Sequence, residues 1–184
     1  MAMQKMAQSL ALNRYRKRAE KQNRSLDFSA FLAGVQRVLV CLPEAPDEYA
    51  QILGSLAGIR KGFPRAHVTL LQSSAIPVST EMVRGFQLVA WGAADVDRWG
   101  GPTAAFKQRL FAETFDLALD LNHEARFFSL AVMMESSATV RAGYAGSMRD
   151  ELYTFLVRPG SQDPAQALQA LLIYLGRPEP ERRP

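Results

Sequence analysis

The sequence predicts an α/β protein: a single Rossmann-like three-layer domain with a mostly parallel sheet, preceded by a basic N-terminal helical arm. Three observations carry this reading. From residue 35 onward, short apolar runs rich in β-branched residues alternate with stretches of helical periodicity, the pattern of successive strand–helix–strand crossovers. At 184 residues and 48% apolar, the chain can build one substantial core but is short for two. The charge is also segregated. Residues 1–24 hold Lys5, Arg14, Arg16, Lys17, Arg18, Lys21 and Arg24 against Glu20 alone, a local charge of +6, so the formal net charge of +4 leaves the rest of the chain at −2. The expected organisation is an arm over residues 1–30, a domain over 31–177 and a disordered, proline-rich tail over 178–184.

In the arm, MQKMAQSLALNRYRKRAEKQ sets Met3, Met6, Leu10 and Tyr15 at roughly helical spacing. Basic residues fill the last turns, where they suit the helix dipole. Such a helix can pack on the body, lie against an acidic partner, touch RNA or membrane phosphate, or remain a solvated extension, and the residues leave these open. VQRVLVCLP then reads as a buried strand ending at Pro43. In PEAPDEYAQILGSLAGIRKGFP, Tyr49, Ile52, Leu53, Leu56 and Ile59 form one apolar stripe, predicting a helix of about four turns closed by Gly62 and Pro64.

AHVTLLQ is the second strand and FQLVAWG the third. TAAFKQRLFAETF is a helix opened by Pro102 and Thr103, and DLALDL is the fourth strand. EARFFSLAVMMES follows as a helix, TVRAGY as a short strand and ELYTFLV as a sixth strand. DPAQALQALLIYLG closes the body, with Asp163 as N-cap, Pro164 at the first helical position and Gly176 at the end.

Several function classes are excluded by what the residues can do. Cys41 is the sole cysteine, so there is no intramolecular disulfide and no cysteine cluster for zinc, and a reducing, cytoplasmic setting is expected. At the end of an apolar strand it reads as a small buried hydrophobe. His67, at a strand entrance, reads as an edge or surface residue, and His67 and His123 with scattered carboxylates fall short of a metal site. No phosphate-binding glycine motif occurs, and neither cofactor nor metal is expected. The longest apolar runs, FFSLAVMM and ALQALLIYL, fall well below the roughly 20 residues of a membrane span, and the first residues lack a signal-peptide core.

The best local cluster is Asn122, His123 and Glu124, at the C-terminal end of the fourth strand, where ligands gather in parallel sheets. The same residues also read as a helix cap, with Asn122 or His123 opening the helix and Glu124 in its first turn. The loop WGAADVDRWGG can present Trp91 and Trp99 as a contact surface or fold them back on the body.

The run RVLVCLPEAPDEYAQILGSLAGIRKGFPRAHVTLL, the later FDLALDLNHEARFFSLAVMMESSATVRAGY and the closing DPAQALQALLIYLG together resemble the N-terminal, acceptor-side Rossmann-like domain of the heptosyltransferase-type glycosyltransferases, family 9. The resemblance covers residues 35–176. It implies a protein of two such domains facing each other across a cleft, the first receiving the acceptor and the second the nucleotide-sugar donor; this chain is expected to lack the donor half. It also implies a catalytic carboxylate after the first strand. Asp47 falls close to that position, but Pro46 stands where the family has glycine, and proline fixes φ and offers no N–H. Asp47 also sits beside a helix N-terminus, where negative charge is favourable anyway. No catalytic residue is assigned, and Asp47 is the one candidate for a general base.

The expected function is therefore a noncatalytic, glycosyltransferase-like binding or assembly module. Its arm, through Arg14, Arg16, Lys17, Arg18 and Lys21, meets a protein partner or a second copy of the chain. Two alternatives stand beside it: the acceptor-binding half of a split glycosyltransferase that needs a separate donor-binding subunit, and a nucleic-acid-associated protein using the basic arm. The sequence names no small-molecule ligand.

Overall fold

Period-2 alternation along the strands sorts the core onto two faces of one sheet. The computed structural model describes residues 2–22, 26–78, 81–146 and 148–176. The strands are β1 (Arg37–Cys41), β2 (His67–Ser73), β3 (Gln87–Trp91), β4 (Leu117–Asp120), β5 (Val140–Tyr144) and β6 (Phe155–Val157). They form a six-stranded sheet in the order β3-β2-β1-β4-β5-β6, and every pairing is parallel. The expected mostly parallel sheet is thus parallel throughout among the described residues. The order of connection reverses between β1 and β4, where Cys41 lies opposite Asp120. That reversal opens a crevice at the C-terminal ends of the two strands.

Val38, Val40, Leu117, Leu119, Val140 and Ala142 face one way. Onto them pack α2 (Phe28–Ala33), α3 (Pro46–Ile52), α4 (Ala57–Gly62) and α7 (Pro164–Gly176). The single helix expected between β1 and β2 is broken by a 3₁₀ turn at Leu53–Ser55. Gly54 and Ser55 are poor helix formers in sequence, yet Tyr49, Ile52, Leu56 and Ile59 still fall on the core. α7 begins as expected, with the Asp163 carboxylate accepting from the Ala165 amide at 2.9 Å. The short α2 has no counterpart in the sequence reading. Asp27 caps it through the Ala30 amide at 3.0 Å, Phe28 stacks on Phe155 with ring centroids 4.9 Å apart, and the helix straddles the expected boundary at residue 30.

Leu39, Cys41, Leu71 and Ala118 face the other way. That face is covered by α1 (Ala2–Gln22), α5 (Ala104–Leu110) and α6 (Phe127–Glu135). α5 is capped by Thr103, whose hydroxyl accepts from the Phe106 amide at 3.2 Å. The tryptophan loop folds back on the body: Trp91 stacks on Phe128 at 4.0 Å, and Asp97 accepts from the amides of Trp99 and Gly101. Cys41 is buried, and burial, with Asp120 and Glu44 adding, holds its thiol well above the usual range, as an unreactive core cysteine requires.

The apolar residues of the arm divide between the body and solvent. Leu12, Tyr15 and Ala19 pack against the body, whereas Met3, Met6 and Leu10 are 71, 65 and 59% exposed. Polar contacts fix the inward face: Gln8 Nε2 donates to the Trp99 carbonyl at 2.9 Å, and the Tyr15 hydroxyl donates to Glu135 Oε1 at 3.1 Å. Glu135 ends α6, where a carboxylate opposes the helix dipole, and the Tyr15 hydroxyl relieves it. The Lys21 side chain and the expected tail at 178–184 lie outside the described residues.

Candidate binding site at the switch point

Along β4, Asp120 shares its face with Ala118, while Leu119 and Leu121 point the other way. The strand therefore delivers a carboxylate with no solvent exposure to the sheet's C-terminal edge. A buried charge is tolerated only if paired and hydrogen-bonded, and Asp120 is both. Its Oδ2 accepts from Arg149 Nε at 3.2 Å and from the Tyr153 hydroxyl at 2.7 Å. Its Oδ1 accepts from the Asn122 amide at 3.1 Å and side-chain Nδ2 at 2.7 Å.

Arg149, itself buried, spends its remaining donors on the backbone. It donates to the carbonyls of Asn122 at 2.7 Å, His123 at 2.9 Å and Glu124 at 2.8 Å. The planar, multi-donor guanidinium suits this task, which a lysine could not perform. The turn at 122–124 is thus held from beneath. This corrects the cap reading: α6 starts at Phe127, with Arg126 at the N-cap and no side-chain cap, because the carbonyls of 122–124 are committed to Arg149.

Asn122 ties the two strands of the switch point together. Its Oδ1 accepts from the Glu44 amide, just beyond β1, at 2.8 Å, and its Nδ2 donates to Ser129 Oγ at 3.3 Å. Ser129 in turn donates to Glu44 Oε1 at 3.0 Å, and Glu48 Oε2 accepts from the His123 amide at 3.1 Å. Glu124 is exposed and pairs with Arg126 at 3.4 Å. Asp47 is exposed in the first turn of α3; of the carboxylates following β1, those that reach the 122–129 segment are Glu44 and Glu48.

Burial raises the Glu44 carboxyl above its ordinary 4.5, with Ser129 and Arg126 opposing and Asp120 adding. A carboxyl raised in the folded state binds its proton more tightly there than in the unfolded chain. It therefore favours folding below the ordinary value, and that contribution is lost as pH rises through the raised one. Glu44→Gln keeps an acceptor for Ser129 and removes the ionisation. The melting temperature of the variant should decline less than that of the wild type between pH 4.5 and neutrality; an identical decline would show that Glu44 does not titrate in this range.

At Gly143 in β5, an added Cβ would lie 2.9 Å from Tyr153 Cε2 and 3.1 Å from the Asp120 carbonyl oxygen. One neighbour is backbone and the other ring is pinned by its bond to Asp120, so neither yields easily. Gly143→Ala should cost about 1–3 kcal/mol, measurable by denaturant unfolding.

Of the arm cations, Arg16 pairs with Glu151 and Arg18 Nη2 donates to Ser137 Oγ at 2.9 Å. Arg14 and Lys17 are exposed and make no ion pair among the described residues. Sequence reasoning missed Glu44, Ser129, Tyr144, Arg149 and Tyr153. Arg149 and Tyr153 lie between β5 and β6, where Tyr153 falls in the part of the expected strand ELYTFLV that precedes the observed Phe155–Val157; Glu44 left a trace as an acidic residue soon after a strand. Among the described residues, no group of three or more His, Cys, Asp or Glu could hold a metal ion, and no helix is long and apolar enough to cross a membrane.

A parallel sheet in this order, with its polar residues gathered where the strand order reverses, defines a Rossmann-like domain. Its fold is the one seen in heptosyltransferases and glycosyltransferase family 9. The chain is similar to E. coli heptosyltransferase WaaC with ADP, at 16% identity and a TM-score of 0.59, over 80% of this chain and 50% of that one. It is also similar to the family 9 glycosyl transferase from Veillonella parvula DSM 2008, at 15% identity and a TM-score of 0.60, over 85% of this chain and 44% of that one. The chain thus spans about half the length of these structures, and at such identities the likeness is one of fold. No family model and no curated protein sequence matches the chain.

Proposed function

We propose that this glycosyltransferase-like domain serves as a noncatalytic binding or assembly module, and that it meets its partner through the outer face of α1. One observation carries the reading: α1 is fixed to the body by Gln8, Leu12, Tyr15 and Ala19, which leaves Met3, Met6 and Leu10 exposed. Helical spacing carries that stripe on into Arg14 and Lys17. Three large apolar side chains running into unpaired cations suit a protein surface with an apolar groove bordered by carboxylates. A nucleic acid would use the cations and leave the methionines unexplained. The test is association of the full chain with its copurifying partner, or with itself by sedimentation, before and after Met6 and Leu10 are made acidic.

Glu44 supports a second reading, in which the domain is the acceptor-binding half of a split glycosyltransferase completed by a donor-binding subunit. A partly buried carboxyl with raised proton affinity at the end of β1 is a suitable general acid or base. Sugar transfer measured with the partner subunit present, and lost in Glu44→Gln but kept in Asp47→Asn, would favour this reading over the first.

A further inference from the structure

Beyond the C-terminal ends of β5 and β6, on the side of the sheet opposite Asp120, lies a cavity of about 380 Å³. His123, Tyr144, Gly146, Asp150, Arg158 and Gln162 contribute to its wall. Tyr144 is 3% exposed, yet its hydroxyl has no hydrogen-bond partner, and the same is true of the buried His123 Nε2. The two rings meet edge to face with centroids 5.0 Å apart. Buried polar atoms in native proteins are nearly always satisfied, so two unsatisfied ones lining a single cavity call for a ligand.

The surrounding charge indicates its chemistry. Arg158 is exposed at the rim and makes no ion pair among the described residues. Asp150, the carboxylate on the wall, already accepts from the Gly146 amide at 2.9 Å. Arg149 and Asp120 neutralise each other beneath the site, and Glu48 is engaged by the His123 amide. Burial, then Asp120, raises the Tyr144 phenol, with Arg149 opposing, so the hydroxyl stays neutral and able to donate. We propose that this cavity binds a small oxyanion, a carboxylate or phosphate group, whose oxygens accept from the Tyr144 hydroxyl, His123 Nε2–H and Arg158. The assignment is independent of the role given to α1.

Inorganic phosphate and acetate, titrated separately into the full chain at constant ionic strength in chloride, test it through the ring resonances of His123. Saturable shifts are expected with one of the two at a Kd of about 1 mM or tighter, and the anion that binds identifies the group. Tyr144→Phe and Arg158→Gln should each weaken binding about tenfold, the scale of a charge-assisted hydrogen bond. Unliganded Tyr144→Phe should melt no lower than the wild type, because it removes a hydroxyl that nothing satisfies. No saturable shift with either anion, binding indifferent to both substitutions, or a lower melting point for unliganded Tyr144→Phe would each overturn the proposal. The last would mean the hydroxyl is already satisfied, as by a buried water.

Discussion

Arg149→Met is expected to be among the most destabilising single substitutions in the chain, costing about 3–5 kcal/mol and lowering the melting temperature by about 10 °C. Methionine replaces the aliphatic stem of the arginine, so the loss is chiefly electrostatic, with a smaller contribution from the space the guanidinium vacates. Asp120 would remain fully buried with its cationic partner gone. The carbonyls of Asn122, His123 and Glu124 would lose their common donor at the same time. The double variant Asp120→Asn/Arg149→Met separates the two contributions. It removes the orphaned charge while keeping one carbonyl oxygen for Asn122, with the new amide nitrogen donating to the Tyr153 hydroxyl, and should recover about 1–3 kcal/mol relative to additivity. Thermal or denaturant unfolding of the four proteins checks this; strict additivity would mean that the pair is not coupled.

Met6→Asp/Leu10→Asp should leave stability within about 0.5 kcal/mol of the wild type, as surface substitutions do. It should nevertheless weaken partner association by about 30-fold or more, the scale of losing a central interface residue. The contrast arises because these side chains are largely exposed to solvent. Leu12→Asp, on the opposite side of the same helix, should do the reverse first: it places a carboxylate against the apolar cluster under α1 and should destabilise the docked helix. A binding assay and a melting curve on both variants distinguish an interface from a packing defect.

The strands, their order of appearance and the starts of α5 and α7 were legible in the sequence, because period-2 and helical patterns are local. DLALDL announced β4, and Thr103 and Asp163 announced the helices they cap. α2 was not legible: six residues with one cap carry too little periodicity, and the helix is held by Phe28 meeting Phe155 across the fold. The face on which α1 docks was not legible for a related reason. Met3, Met6 and Leu10 have helical spacing, but the docked face is chosen by Gln8 finding the Trp99 carbonyl and Tyr15 finding Glu135, both about a hundred residues away.

The candidate site divides in the same way. The 122–124 turn could be placed from its position after a central strand, and the structure puts it at the switch point. Its supporting chemistry could not be placed. Arg149 comes from an irregular segment, Tyr153 read as part of the sixth strand, and Tyr144 read as the last residue of the fifth. Glu44, not Asp47, turned out to be the β1-loop carboxylate bonded across to Ser129, a pairing over 85 residues that no local pattern encodes.

Site-specific photocrosslinking in cells tests the binding-module account most directly, with the crosslinker placed at Leu10 on the outer face of α1 and, as a control, at Arg65, exposed between α4 and β2. The account predicts one discrete protein adduct from position 10, whether a second copy or a distinct chain, abolished by Met6→Asp and absent from position 65. Adducts to nucleic acid alone, or the same pattern from both positions, would contradict it.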